Sequence, residues 1–209
     1  VTTIAAPVAV PGGGGGGGGG SITVPPPPPP SLADPVAPLT LPGGGSFVTA
    51  DLLSGAAGDL QGTPQSDVIT GGFAADVLRG GPGIDQLTGG PGPDVFAIAF
   101  GDRAADQILD FEPGQDRVRI EEVPRRSKLG RFLKGKSKSK KALETVSGKK
   151  EAKKSERFFA YDDESGRLYF NANRGKNGLG SSGGVVVVLS PGLELDGSDL
   201  LFSFLEQAV

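Results

Sequence analysis

The chain has 209 residues, including 36 Gly and 18 Pro, and its 21 Lys or Arg against 24 Asp or Glu give a net charge of -3. It contains no His, Cys, Met or Trp. This composition excludes imidazole triads, thiol nucleophiles, zinc bound by nitrogen or sulfur, and haem held by such side chains. Oxygen is therefore the donor left for a metal ion. No apolar run approaches the roughly 20 residues of a membrane span.

Residues 1–50 are predicted to form a disordered linker. They include a run of glycines at positions 12–20 and a run of prolines at positions 25–30. Polyglycine is flexible and polyproline is a stiff, extended spacer, so we expect a tether with one soft and one rigid section. A ligand for an SH3-like domain is the other interpretation of the prolines, and a plain spacer is favoured.

A repeat with a period of nine covers residues 62–97. Its third and fourth units fit the pattern Gly-Gly-x-Gly-x-Asp-x-apolar-x completely, whereas the first unit keeps one Gly, the Asp and the apolar residue. The end of each unit is typical of a very short strand whose middle side chain points inward. The sequence therefore predicts a row of inward residues at Ile69, Leu78, Leu87 and Phe96. Two units form one coil, so the first should stack on the third and the second on the fourth.

This stacking would place Asp67 beside Asp85 and Asp76 beside Asp94, at the strand spacing of about 4.8 Å. Two carboxylates about 5 Å apart repel each other by roughly 3 kcal/mol at an effective dielectric constant near 20. One apolar residue per unit does not offset this repulsion and the entropy of ordering the glycines, so we expect a cation between the coils. Calcium fits best because it accepts carboxylate and main-chain oxygens in irregular geometry. A purely apolar solenoid and a disordered Gly/Asp tract are the alternative interpretations.

The units resemble the nonapeptide repeats of the RTX (repeats-in-toxin) family, in which calcium binds between the turns of a parallel β-roll. The resemblance implies an all-β fold, with a right-handed parallel β-roll and following strand over residues 51–122 and a cap of C-terminal antiparallel strands. By the same resemblance, the calcium ligands would be the four aspartates and the carbonyl groups of Gly80, Gly81, Gly83, Gly89, Gly90 and Gly92.

The segment after the repeat is similar to the strand and turn that follow the roll in serralysin-type C-terminal domains. Val118 and Ile120 alternate with charged residues, as in a half-buried strand. Two interpretations of Asp106 and Asp110 are open: one of them completes a last calcium site, or they act as capping or ion-paired aspartates.

Residues 123–156 are predicted to form a disordered basic insert, since positions 124–157 hold 14 Lys or Arg against 3 Glu. The alternative is an arm that binds anionic polysaccharide or lipopolysaccharide. Nucleic acid is disfavoured because aromatic residues other than Phe132 do not interleave with the charges. Positions 130–137 match the phosphate-loop pattern but lack its strand and helix context, so nucleotide binding is rejected.

Residues 157–209 are predicted to form a C-terminal β cap and secretion region. We expect a hairpin from residues 158–161 and 167–170, and further strands at 185–189 and 200–204. The resemblance implies export by the type I secretion apparatus, guided by an uncleaved C-terminal signal.

The favoured function is therefore that of a non-enzymatic, secreted, extracellular protein that folds on calcium after export. Two other functions fit the sequence. One is an adhesion or matrix protein that acts through the basic insert, and the other is the detached export domain of a larger secreted hydrolase.

Overall fold

The computed structural model describes residues 44–50, 55–102, 104–134, 141–174, 176 and 178–205. The predicted tether at residues 1–43 and the last four residues of the predicted secretion region lie outside these ranges. The described strands are β1 (Phe47–Thr49), β2 (Asp59–Gln61), β3 (Val68–Thr70), β4 (Val77–Arg79), β5 (Gln86–Thr88), β6 (Val95–Ala99), β7 (Asp106–Ile108), β8 (Arg117–Val123), β9 (Leu143–Val146), β10 (Phe159–Asp162), β11 (Arg167–Phe170), β12 (Gly184–Val188) and β13 (Leu200–Phe204). Two short helices accompany them, α1 (Lys128–Phe132) and α2 (Lys149–Ala152).

The first eight strands alternate between two sheets and form a parallel β-roll. One sheet contains β1, β3, β5 and β7 in this order, and the other contains β2, β4, β6 and β8. Ile69 lies beside Leu87 in the first sheet, and Leu78 lies beside Phe96 in the second. The prediction that the first unit stacks on the third and the second on the fourth is thereby confirmed.

The core of the roll is built from one inward side chain per short strand. Ile69, Leu78, Leu87 and Phe96 are all 0% exposed, which confirms the predicted row. Ile108 and Val118 continue it beyond the repeat. Burying one aliphatic side chain of this size contributes about 1.5–3 kcal/mol, so each coil adds only a modest amount of apolar stabilisation.

The roll begins one coil before the repeat. Val48 of β1 lies beside Ile69, and Leu60 of β2 lies beside Leu78. The prediction that the linker extends to residue 50 is therefore wrong at β1. The strand forms there because it keeps an inward apolar residue and can pair with β3.

The cap continues both sheets of the roll. The first sheet runs on from β7 through β12, β11 and β10 to β9, and β13 pairs with β8 in the second. β10 and β11 form the predicted antiparallel hairpin. β11 also pairs antiparallel with β12, so the predicted antiparallel cap is confirmed for these three strands, whereas β9 pairs in parallel with β10, β12 with β7, and β13 with β8.

The prediction that residues 123–156 are disordered is wrong for the described part of this segment. Val123 ends β8, and α1, β9 and α2 follow. The physical reason is that four apolar side chains among the lysines are buried against the cap: Leu129, Ala142, Leu143 and Ala152. Gly130 lies within α1, where Ser127 accepts a hydrogen bond from its N–H, so this part of the phosphate-loop pattern is helical. In the described ranges, no helix has the length and apolarity needed to cross a membrane.

Candidate calcium site

A ladder of aspartates runs along each side of the roll. Asp85 Oδ1 accepts a hydrogen bond from the Asp67 N–H at 2.7 Å, and Asp94 Oδ1 accepts one from the Asp76 N–H at 2.8 Å. Each carboxylate therefore lies between its own coil and the preceding one. The same contact joins Asp67 to Ser46, Asp76 to Gly58, Asp106 to Asp85 and Asp116 to Asp94.

We refer to the spaces between stacked turns by their place in the roll. The first gaps separate Ser46 from Asp67 and Gly58 from Asp76. The middle gaps separate the first repeat unit from the third and the second from the fourth. The last gaps contain the carboxylates of Asp106 and Asp116.

The second carboxylate oxygens in the middle gaps have no hydrogen-bond partner. Asp85 and Asp94 are 0% exposed, and Oδ2 of each is buried without a partner in the described part of the chain. A buried polar atom of this kind carries a desolvation cost, and the cost is greater when the group is charged. A cation placed beside each of these oxygens would offset that cost.

The ionisation of these carboxylates is also unfavourable without a cation. Burial raises the pKa of Asp85 to about 6, where the Asp67 and Asp102 charges add to the rise and the Asp67 N–H opposes it. Burial likewise raises the pKa of Asp94 to about 6. The pKa of Asp106 rises to about 7, first because of burial and also because of the Asp85 charge.

Main-chain carbonyl oxygens crowd into the same middle gaps. A Cβ atom added at Gly81, Gly83 or Gly62 would lie closer than 3.0 Å to the carbonyl oxygen of Thr63, Gln65 or Gly80, respectively. In the other middle gap, Cβ atoms at Gly90, Gly92 and Gly71 would meet the carbonyl oxygens of Gly72, Ala74 and Gly89. Gly83 and Gly92 also have φ angles of +133° and +137°, which side-chain-bearing residues rarely adopt. Glycine at these positions thus lets several oxygens approach one point.

The structure places four of the ten predicted ligand groups in these gaps. Asp85, Asp94 and the carbonyl groups of Gly80 and Gly89 lie there, whereas Gly81, Gly83, Gly90 and Gly92 line the gaps opposite other carbonyl groups. Sequence reasoning missed those opposing carbonyls, which belong to Thr63, Gln65, Gly72 and Ala74. They occupy the second and fourth positions of the first two units, in register with the glycines of the next coil. The assignment of any of these groups as calcium ligands stays a prediction.

Asp67 and Asp76 differ from the aspartates of the middle gaps. Asp67 Oδ2 accepts a hydrogen bond from the Thr63 N–H at 2.6 Å, and Asp76 Oδ2 accepts one from the Gly72 N–H at 2.6 Å. Burial alone would raise the pKa of Asp67, but hydrogen bonds from Thr63 and Ser46 outweigh it and lower the pKa.

The Asp110 carboxylate caps two backbone N–H groups of the turn at the start of the fourth repeat unit. Its two carboxylate oxygens accept hydrogen bonds from the Gly89 N–H at 2.9 Å and the Gly90 N–H at 2.8 Å. Across the described residues, no three carboxylates converge as a metal-binding cluster. A cation in a middle gap would therefore draw most of its ligands from the backbone.

A family model for the RTX calcium-binding nonapeptide repeat, in four copies, matches residues 60–96. These residues are RTX repeats. The RTX segment contains all four repeat aspartates, and the match confirms the family and the calcium-binding class of the repeat. The similarity to serralysin-type domains stays a prediction.

No curated protein matches the chain. Among solved structures, the chain is similar to the AlgE6R3 subunit from the mannuronan C5-epimerase of Azotobacter vinelandii, with 24% identity over 69% of this chain and 77% of that chain. The TM-score is 0.34, and at this level the likeness carries no argument about function.

Proposed function

We propose that this chain is a calcium-binding β-roll protein whose RTX repeats complete their fold when calcium binds. The observation that carries the proposal is the pair of buried, unpartnered oxygens, Asp85 Oδ2 and Asp94 Oδ2, in gaps crowded by carbonyl groups. Calcium would supply the positive charge that lets these carboxylates stay ionised and stacked.

Each middle gap offers donors for one ion. Asp85 and the carbonyl groups of Thr63, Gln65 and Gly80 would hold one calcium. Asp94 and the carbonyl groups of Gly72, Ala74 and Gly89 would hold the other. Calcium suits such a mixed and irregular oxygen set, whereas magnesium demands near-octahedral geometry and retains more water.

We further propose that the protein is secreted by the type I apparatus and works outside the cell. At low calcium, repulsion within the aspartate ladders keeps the roll loose for transport. At about 1 mM calcium, a site with a Kd near 0.1 mM gains roughly 1.4 kcal/mol. Folding would then follow export, and this role as a binding and folding module needs no catalytic residue.

Circular dichroism, size-exclusion chromatography and calorimetric titration of the full chain test this proposal. We expect calcium to increase the β signal, reduce the hydrodynamic size and bind in the middle gaps, whereas the same concentration of magnesium should do none of these. If the spectrum, the size and the melting curve are the same in calcium and in chelator, the proposal is wrong.

A second candidate function is binding to an anionic polysaccharide or lipopolysaccharide through residues 124–157. Lys154 forms an ion pair with Glu151, and no other Lys or Arg in the described part of this segment forms one. In the described part of the segment, α1, β9 and α2 pack on the cap, so exposed lysines such as Lys149, Lys150 and Lys153 belong to a folded basic surface. Such a surface would attract a polyanion in a salt-dependent way.

Retention on an anionic polysaccharide resin tests this second function. Replacing Lys149, Lys150 and Lys153 by Gln should abolish retention, whereas Asp85→Asn with Asp94→Asn should leave it intact. Retention that does not change with salt concentration would contradict the proposal. So would elution by duplex DNA at lower concentration than by free polysaccharide.

A further inference from the structure

We infer that two of the four repeat aspartates, Asp85 and Asp94, bind calcium through their carboxylates, and that Asp67 and Asp76 instead close metal-free first gaps by hydrogen bonding. The inference rests on the proposed function and divides the aspartate ladders into two kinds of residue. The repeat pattern alone gives all four aspartates the same role.

The division follows from one hydrogen bond inside each turn. In Asp67 and Asp76, Oδ2 accepts the N–H of the residue four positions earlier, at 2.6 Å in both cases. Asp116 does the same with the Glu112 N–H at 2.8 Å. Both oxygens of these three carboxylates therefore have partners, whereas Asp85 and Asp94 each keep one open oxygen.

Hydroxyl groups complete the first gap at Asp67. The Ser46 hydroxyl donates to Asp67 Oδ1 at 2.9 Å, and the Thr63 hydroxyl donates to Oδ2 at 3.0 Å. Hydrogen bonds of this kind favour the charged form of a carboxylate, as a cation would. The carboxylate is thus stabilised without an ion.

The preceding coil also provides no second acid in the first gaps. Ser46 and Gly58 occupy the places that Asp67 and Asp76 take in the next coil. Each first gap therefore lacks a stacked aspartate pair. The repulsion that makes a cation necessary in the middle gaps does not arise there.

Asp110 explains why Asp94 Oδ2 has no hydrogen-bond partner. The N–H four positions before Asp94 belongs to Gly90, and it donates to Asp110 Oδ2 at 2.8 Å. This N–H is thereby kept from Asp94 Oδ2. Asp110 is a positioning residue for the second calcium, because it holds the turn open without touching the ion.

Calorimetric titration of the full chain with calcium chloride tests the division, with matched Asp→Asn variants. Asn keeps one oxygen that can accept the N–H of the preceding coil, but its NH₂ group cannot bind calcium. The wild-type chain should bind two ions. Asp85→Asn and Asp94→Asn should each lose one ion, whereas Asp67→Asn and Asp76→Asn should keep both.

Loss of an ion in Asp67→Asn or Asp76→Asn, or more than two ions in the wild type, would overturn the inference and leave the proposed function standing. No calcium binding by the wild type would overturn the proposed function itself. Ser46→Ala covers the case in which Asp67→Asn fails to fold, because it removes a hydroxyl that donates to Asp67 Oδ1, keeps the carboxylate and lies outside the proposed ligand set. It should lower the urea midpoint in chelator and still bind two ions, and loss of an ion would again contradict the inference.

Asp110→Asn tests the positioning role. It keeps an acceptor for one glycine N–H and releases the other, so we expect one of the two sites to weaken by about tenfold. Unchanged affinity at both sites would show that Asp110 does not position Asp94. Complete loss of one ion would make Asp110 a ligand and contradict the assignment.

Discussion

The roll and the cap share two continuous sheets but are stabilised in different ways. Each short strand of the roll contributes one inward apolar side chain, and buried carboxylates separate its coils. The cap instead contains an aromatic cluster in which the Phe159 ring lies 5.4 Å from that of Phe170 and 5.7 Å from that of Phe202. The comparison shows that pairing strands into one sheet does not give its two ends the same source of stability. An ion can therefore control one end of a sheet while apolar packing maintains the other.

The largest expected effect comes from the cap. Phe159→Ala removes a side chain that is 1% exposed and should lower the free energy of unfolding by about 3–5 kcal/mol. Because the cavity lies in the cap, urea unfolding followed by circular dichroism should give the same loss in calcium and in chelator. Leu201→Ala, at a side chain that is 38% exposed, is the control and should cost much less. A loss of stability in Phe159→Ala that is seen only in calcium would contradict the conclusion that apolar packing stabilises the cap independently of the ion.

A smaller effect is expected from the turns of the roll. Gly92→Ala combines a φ of +137° with a Cβ closer than 3.0 Å to the Ala74 carbonyl oxygen, and should cost about 1–3 kcal/mol. It should also weaken calcium binding, because it displaces an oxygen of the middle gap. Gly101→Ala has a φ of +92° and open space around the new Cβ, so it should cost about 1–2 kcal/mol and leave calcium affinity unchanged. Equal calcium affinities in the two variants would contradict this assignment.

The smallest expected effect concerns the pH dependence of the calcium-free roll. In the folded, calcium-free chain burial raises the pKa of Asp85 and Asp94 to about 6 and that of Asp106 to about 7, against 3.8 for an ordinary aspartate. The folded state therefore keeps protons that the unfolded state has lost, and the associated stability disappears as the pH rises through 6 and 7. The pKa of Asp67 is lowered, so that group does not contribute in this range.

Acidification from about pH 7.5 to about pH 6.5 should thus stabilise the protein in chelator by on the order of 1 kcal/mol. Saturating calcium should remove or reverse this gain, because protons and calcium compete for the same carboxylates. The urea midpoint at both pH values, with and without calcium, measures the effect. A calcium-free protein that loses stability on the same acidification would show that the sign is wrong.

The sequence predicted the middle of the roll well because a strict period fixes both register and side-chain direction. Ile69 and Phe96 could be placed from their position in the unit alone. β1 was missed because Ser46 stands where a repeat unit has its aspartate. The folded insert was missed because its many lysines obscure buried residues such as Leu143. The difference between Asp67 and Asp94 depends on Asp110, which lies outside the repeat.

Every aspartate in the ladders accepts an N–H from the coil before it, so the stack of coils has a direction. Each coil contributes the carboxylate that accepts an N–H of the preceding coil, and its own N–H is bound by a carboxylate of the following coil. Deleting coils from the C-terminal end of the roll would remove these carboxylates together with the coils that bear them. Deleting coils from its N-terminal end would instead leave carboxylates without the N–H that they accept, so the two ends differ in how they tolerate shortening.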